Sequence, residues 1–540
     1  MRMTGGEAIV AELVRHGVDT VFGLPGVQTY ALFDGFAKAP EIRLIGARHE
    51  QTCGYMAFGY AGAGGRPGVF SVVPGPGVLN ASAALLTAFG CNQPVLCLTG
   101  QVPSGAFGKG RGHLHEMPDQ LGVLSRLCKW AGRIETAASA PALVAEAFRE
   151  MTSGRPGPAA LEMFWDKLGE TGEATPIVPL AKIAPPPVDT DAVARAAKAV
   201  AAARAPMIFV GRGAIDAATE VRELAERLGA PVAAFRSGRG IIGDDDPLGV
   251  TIAEAWPLWL ETDCAIVVGS RFEVPGWRWG RRPDGLTTVR IDIDPVEFRR
   301  MRSDVDILGD ASEAVAALSR TLARAGLAAV DRGAAIAEAK AATAKEIEAV
   351  TPHVGYLRAI RAVLPADGIF VDEMCQAGFA SWYGFPIYRP RTFLSSGYQG
   401  TLGAGFPTAL GAKVAKPDVP VVSVTGDGGF LFAAAELATA VQYGIGVTVV
   451  VFNNGAYGNV RRDQIAGYDG RVSGSELVNP DFVAFARSFG VVAARVGSPA
   501  ALRRALEKAL ASGAPRLIEI PVDADAEVSP WPFIHREQPY

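Results

Sequence analysis

Apolar residues early in the chain follow two alternating rhythms. Arg43-Leu44-Ile45-Gly46-Ala47 and Val69 to Val73 are short continuous runs, the pattern of buried strands, whereas Glu50 to Ala63 and Leu79 to Phe89 carry helical spacing. Pro74-Gly75-Pro76-Gly77 breaks the chain, and Pro94 to Leu98 predicts the next strand. Such alternation with short Gly/Pro loops predicts a parallel sheet with helices on both faces. The rhythm returns twice. A second block has strands at Pro206–Val210, Cys264–Val268 and Thr288–Ile293 and fades into a helix over Ala334–Val350. A third has strands at Val419–Val424 and Gly446–Phe452 around a helix over Leu431–Tyr443. Ala184-Pro-Pro-Pro-Val188 is a stiff spacer. The fold class is therefore α/β, with three doubly wound parallel-sheet domains at 1–175, 191–325 and 351–525 and an aromatic tail at 526–540. Blocks one and three are alike in length and alternation.

Composition removes whole classes. The 540 residues carry 52 Lys+Arg against 56 Asp+Glu, a net charge of −4, so no basic surplus points to nucleic acid. Mean hydropathy is +0.19, yet no apolar run approaches the ~18 residues of a membrane span. The N-terminus lacks an apolar stretch followed by a cleavage site, so the expectation is a cytoplasmic protein without membrane partners. Six cysteines fall singly, which disfavours a zinc site or a disulfide scaffold and suits reduced thiols.

The third block carries the chemistry. Its first strand ends in Thr425-Gly426-Asp427-Gly428-Gly429 and its second in Asn453-Asn454. Neighbouring parallel strands bring both loops to the same carboxyl edge, so Asp427 and the Asn454 amide oxygen share a crevice. A carboxylate, an amide oxygen and a carbonyl suit a hard cation such as Mg²⁺, completed by phosphate oxygens and water. Glycines beside them let backbone N–H groups approach a phosphate, and the following helix N-terminus favours the anion. The expectation is a metal-bridged diphosphate site.

Together, G-D-G, 24 intervening residues and N-N resemble the signature of thiamine-diphosphate enzymes. The resemblance implies Mg²⁺ held by Asp427, Asn454 and the Ala456 carbonyl, with Gly426, Gly428, Gly429, Gln376 and Tyr457 around the cofactor. Arg48-His49-Glu50-Gln51 before Met56-Ala57-Phe58-Gly59-Tyr60-Ala61 resembles the segment carrying the cofactor-activating glutamate of that superfamily. Glu50 would hydrogen-bond the pyrimidine N1′ and favour the imino tautomer that takes the thiazolium C2 proton. Gly400 to Pro407 resembles the segment that holds the cofactor bent, with Leu402 as the wedge and the Gly400 carbonyl as acceptor. Gly23-Leu-Pro25-Gly26, Pro74-Gly-Pro-Gly77, Gly154-Arg-Pro-Gly-Pro158 and Ile291-Asp-Ile-Asp-Pro295 are similar to acetohydroxyacid (acetolactate) synthase and its decarboxylase and carboligase relatives, and Pro25 and Gly26 join the cofactor-contacting set.

Some positions depart from the synthase. Its Phe-Gln pair near the reacting carbon is His115-Glu116 here, and an acid at that place is more like oxalyl-CoA decarboxylase. Gln28 falls where benzaldehyde lyase has a catalytic His. Gln28, His115 and Glu116 thus join Glu50 as catalytic candidates, with His113 and His115 as alternative proton donors. In the central block Gly211-Arg212-Gly213 is a weak glycine turn, and Gly269-Ser-Arg271-Phe272-Glu273 only partly matches the synthase's flavin stretch, so FAD or a nucleotide there has less support than thiamine diphosphate and Mg²⁺. Trp277 and Trp279 are read as packing residues.

The resemblance implies an enzyme that makes or breaks a C–C bond next to a carbonyl, by 2-oxo acid decarboxylation, carboligation or both. Its alternative is an acyl-CoA lyase or decarboxylase, motivated by Glu116. Substrates would be a small 2-oxo acid, aldehyde or acyl-CoA. The resemblance also implies a homodimer or homotetramer, with Glu50 of one chain against Asp427 and Asn454 of another. A nicotinamide-binding dehydrogenase is disfavoured by the lack of a good G-x-G-x-x-G, and a silent scaffold by intact Glu50, Asp427 and Asn454.

Overall fold

The computed structural model describes residues 1–537 and contains three six-stranded sheets, all parallel, with helices interspersed. The first sheet comprises β1 (Thr20–Gly23), β2 (Arg43–Gly46), β3 (Gly68–Val72), β4 (Val95–Gln101), β5 (Trp130–Ile134) and β6 (Ala159–Phe164), in the order 2-1-3-4-6-5. The central sheet comprises β7 (Pro206–Val210), β8 (Val232–Ala234), β9 (Gly249–Thr251), β10 (Cys264–Val268), β11 (Thr287–Asp292) and β12 (Val305–Leu308), in the order 9-8-7-10-11-12. The third comprises β13 (Ile369–Val371), β14 (Phe393–Leu394), β15 (Val421–Gly426), β16 (Val447–Asn453), β17 (Val492–Arg495) and β18 (Arg516–Pro521), in the order 14-13-15-16-18-17. Within its own sheet, the third repeats the order of the first. The likeness in alternation therefore extends to topology, while the central sheet has a different winding.

The strand cores need no alternation because both faces are covered. Cys264 to Val268 and Val447 to Phe452 are buried at every position. One core joins the first and third units, running from Ile45 and Phe58 to Phe406 and Val449. Another joins the central and third units, from Phe209 and Trp259 to Phe370, Trp382 and Trp531. Trp279 belongs to it, whereas Trp277 is 58% exposed with the Arg278 guanidinium over its ring, so only one of the two tryptophans is a core residue. Of the tail, Trp531–Phe533 forms a short helical turn packed on Phe379, and residues 538–540 lie outside the described residues.

Two helix boundaries differ from the sequence reading. The helix expected from Leu79 begins at Pro76, because proline at the first helical position gives up an N–H that has no partner anyway. The helix expected over Leu431–Tyr443 is two pieces, Asp427–Leu431 and Glu436–Tyr443, separated by a turn. The break lets the buried Glu436 carboxylate accept from Arg48 N at 2.9 Å and Thr52 Oγ1 at 2.5 Å in the first unit.

The first and third units also meet where α1 (Glu50–Gly64) crosses α2 (Gly405–Ala415). It is a backbone-to-backbone contact. A Cβ on Gly59 would lie 1.9 Å from the Thr408 carbonyl oxygen, and one on Gly411 1.9 Å from the Met56 carbonyl oxygen. Neither obstacle is a side chain that could swing away. Gly59→Ala and Gly411→Ala are each expected to destabilise by at least the ~1–3 kcal/mol of core overpacking, measured by denaturant unfolding. Gly105→Ala, with nothing within 4 Å of its added Cβ, is the neutral control; equal stability of all three variants would show that the crossing can relax.

Candidate active site

β15 and β16 are neighbours in register, Gly426 opposite Phe452, so their carboxyl ends open into one crevice as the spacing predicts. A cavity of ≈400 Å³ lies there, lined by Met374, Gln376, Gly400, Leu402, Gly426–Gly429, Asn454, Ala456, Tyr457 and the tail residue Glu527. Every third-block residue expected to contact the cofactor or metal borders it.

Asp427 starts its helix rather than preceding it, and it is 1% exposed. Its Oδ2 accepts from Gly455 N at 2.9 Å and from Asn479 Nδ2 at 2.6 Å. Burial pushes its carboxyl above the usual range, the bonds pulling the other way, which is the situation a bound cation relieves. The helix it starts is only five residues long, so a phosphate here would meet individual N–H groups of Gly428 and Gly429 rather than a developed macrodipole. Side chains at those glycines have no room: a Cβ on Gly428 would sit 2.5 Å from the Tyr457 ring, and one on Gly429 2.6 Å from Glu373 Oε1. Residues 455–457 are held by the returning segment 475–477 through Leu477 N to Gly455 O at 2.7 Å and Tyr457 N to Ser475 O at 2.8 Å. This return delivers Asn479 to Asp427. Gln376, at the start of its own helix, is buried, and its Oε1 has no hydrogen-bond partner.

The first-block candidates form a separate cluster. Glu50 opens α1, with Oε2 accepting from Asn80 Nδ2 at 3.0 Å. Gln28 is buried, its Nε2 donating to Leu114 O at 2.8 Å and its Oε1 2.9 Å from His115 Nδ1. His115 adopts φ 64°, a left-handed conformation, and its backbone crowds Gly75, where a Cβ would lie 2.6 Å from the His115 carbonyl oxygen. Glu116 turns back on its own loop and accepts from His113 N at 2.9 Å. Gly26 packs on Val73 behind Pro25, with 2.3 Å to Val73 Cγ1 for an added Cβ. None of these residues borders the Asp427 cavity of the same chain.

Sequence reasoning missed the residues that hold the site. Glu373 is fully buried and fastens the Gly-rich loop to the Asp427 turn: it accepts from Gly403 N, from Gly405 N at 3.2 Å and from Thr425 Oγ1 at 2.8 Å. Two adjacent acids closing an apolar strand, Ile369-Phe-Val371-Asp372-Glu373, were the available signal. Asn479 lies 52 residues from Asp427 in sequence and gave none.

Three family models cover most of the chain: thiamine pyrophosphate enzyme N-terminal TPP binding domain over residues 3–123, central domain over 193–318, and C-terminal TPP binding domain over 374–520. The chain belongs to the thiamine pyrophosphate (thiamine diphosphate) enzymes, and within them to the carboligases and decarboxylases related to acetolactate synthase. Its relatives include the probable 2-ketoarginine decarboxylase AruI of Pseudomonas aeruginosa, 35% identical over 96% of this chain and 94% of that protein. The acetolactate synthase large subunit of Parasynechococcus marenigrum is 34% identical over 96% and 88%, and the probable acetolactate synthase large subunit of Methanocaldococcus jannaschii 33% over 96% and 92%. The residues here fit the cofactor: a buried amide oxygen without a partner at Gln376, glycines at 428 and 429 where a side chain would find no room, and the buried Asp427 carboxylate, all lining one cavity. No helix of the described residues is long and apolar enough to cross a membrane.

Burial, against the pull of their hydrogen bonds, pushes Asp372 and Glu373 up to about 7. An acid raised in the fold holds a proton that the unfolded chain has already lost, so stability drains away as pH climbs from the ordinary carboxylate range toward 7. The advantage of the wild type over Glu373→Gln, followed by denaturant unfolding, is expected to be greatest near pH 5 and to shrink through pH 7. A difference independent of pH would mean that Glu373 is ionised throughout.

Proposed function

We propose that this chain decarboxylates a 2-oxo acid in a site shared between two copies of itself, with Mg²⁺ and thiamine diphosphate held by the third unit. The observation that carries the reading is the split between the two clusters. The Asp427 cavity has the anchoring groups, and its other carboxylate, Glu527, is already engaged with Asn454 and His353, while the first unit has Glu50 with no anchor of its own. A two-fold arrangement supplies each from the other chain. Apolar side chains beside both halves support it: Leu431, Phe432 and Val460 near the cavity are 39%, 55% and 50% exposed, and Leu79 beside Asn80 is 52% exposed. Dimer and tetramer both satisfy this requirement.

Among the described residues no group of three His, Cys, Asp or Glu could hold a metal. The cation would rest on one carboxylate, Asp427, with the Asn454 amide oxygen and Ala456 carbonyl, leaving diphosphate oxygens to complete the charge balance, as suits Mg²⁺. Bound there, the cofactor would supply the carbanion-stabilising chemistry that cleavage next to a carbonyl needs. Glu50 would share a proton with its pyrimidine ring, Leu402 would pack beneath it, and the Gln376 amide NH₂ would donate at its anionic end. Gln28 and His115, already bonded to each other, are the pair best able to hand a proton to the substrate oxygen. Glu116, tied within its loop, gives the acyl-CoA alternative no particular support.

The cleft between the first and central units, ≈500 Å³ and lined by Arg155, Arg212, Arg271 and Asp292, suits a nucleotide by its size and arginines. A flavin or nucleotide bound there would have a structural part only, since decarboxylation transfers no electrons to it.

Asp427→Ala is expected to abolish Mg²⁺-dependent thiamine-diphosphate binding in calorimetry. Glu50→Gln should bind the cofactor but lose ~10²–10⁴-fold in turnover, the contribution of a positioned proton-transfer group. Carbon dioxide release from a panel spanning pyruvate and 2-ketoarginine identifies the substrate side chain, and a panel without turnover together with acyl-CoA cleavage would overturn the 2-oxo acid reading. Full activity in a species sedimenting at 56.5 kDa would overturn the shared site.

A further inference from the structure

Asn454 has one end that suits a cation and one that does not. Its amide oxygen is a hard donor atom, its NH₂ group offers only protons, and the two ends are nearly equal in size. Something must decide which end faces Asp427. The C-terminal tail supplies it. After β18, Val522 N donates to Asn453 O at 2.8 Å, Val528 N to Thr351 O at 2.9 Å, and Trp531 Nε1 to Asn459 Oδ1 at 2.5 Å. Between these anchors Glu527 turns inward, its side chain only 6% exposed, and lines the cavity.

Its Oε2 accepts from Asn454 Nδ2 at 2.7 Å, and its Oε1 lies 3.0 Å from Nε2 of the fully buried His353. Gly458 leaves the space this bond needs, since a Cβ there would come within 2.6 Å of Asn454 Nδ2. A carboxylate accepts and does not donate, so the amide nitrogen must turn toward it. Oδ1 is left on the opposite side, 3.1 Å from Ala456 N, the residue whose carbonyl is the third proposed ligand. We propose that Glu527 is a positioning residue for the metal site, holding Asn454 by its nitrogen so that its oxygen faces the cation. The inference rests on reading Asp427, Asn454 and Ala456 as the ligands.

The test titrates Mg²⁺ by calorimetry into chelator-treated, full-length protein with saturating thiamine diphosphate. Glu527→Ala should weaken Mg²⁺ binding ~10–100-fold, the usual effect of losing a ligand's outer partner. Glu527→Gln keeps an acceptor oxygen and should stay within about threefold of wild type. In the Glu527→Ala background, Asn454→Asp should restore Mg²⁺ binding, because a carboxylate presents oxygen whichever way it turns. A tail that merely stabilises the fold would not be rescued by that change. Wild-type affinity in Glu527→Ala, an equal loss in Glu527→Gln, or no rescue by Asn454→Asp would each overturn the proposal. Failure of the wild type itself to bind Mg²⁺ with the cofactor would instead overturn the ligand reading.

Discussion

The crossing of α1 and α2 at Gly59 and Gly411 is the constraint on which the rest of the molecule depends. At 1.9 Å from an added Cβ to the opposing carbonyl oxygen, the two backbones touch with nothing between them. Glu50 begins one of these helices and the Gly400–Gly405 loop leads into the other, so the crossing sets where Glu50 stands relative to that loop in the same chain. Glu436 adds a polar lock beside it, its buried carboxylate accepting from Arg48 N and Thr52 Oγ1. Buried charge is costly unless it is fully bonded, and here the bonding partners come from the unit 384 residues away in sequence. The helix crossing and the Glu436 bonds together tie the two units to each other.

Around the proposed anion site the protein uses little formal charge and much geometry. Of the two carboxylates lining the cavity, Glu527 is bonded to Asn454, and the groups that orient the other, Asp427, are amides: Asn479 and the Gly455 N–H. Glu373 does comparable work for the Gly-rich loop, tying Gly403 and Gly405 to the Thr425 turn. Glu373 and Thr425 are buried, so they are fixed by packing as well as by hydrogen bonds. That arrangement is what a site needs if its ligands must hold position within a fraction of an ångström.

The resemblance to acetolactate synthase and the kinship to a probable 2-ketoarginine decarboxylase define a chemistry but leave the substrate side chain open. The reason is visible in the first-unit cluster. Gln28, His115 and Glu116 differ from the synthase pattern, and His115 is held at a left-handed φ of 64° against Gly75. A loop shaped by such local geometry has a contour that no short motif encodes.

Much was legible in the chain itself. Continuous apolar runs bounded by glycine and proline marked the parallel strands, and Pro206–Val210 and Cys264–Val268 were read to the residue, because a strand buried on both faces leaves no polar position to blur its ends. The pairing of Asp427 with Asn454 followed from strand adjacency alone, since both lie at carboxyl ends of neighbours in one sheet. Helix Leu431–Tyr443 was misread as one piece because its residues all favour helix locally, whereas the break serves Glu436 and its distant partners. Asn479, Glu373 and Glu527 were invisible for the same reason. Each acts through a bond that spans 30 to 73 positions, and only the folded chain brings those positions together. Periodicity and turn chemistry are local, so the sequence by itself determined the elements, their class and the loops that carry Asp427 and Asn454. The tertiary structure decided which buried polar groups hold those loops, because that depends on contacts that local pattern does not record.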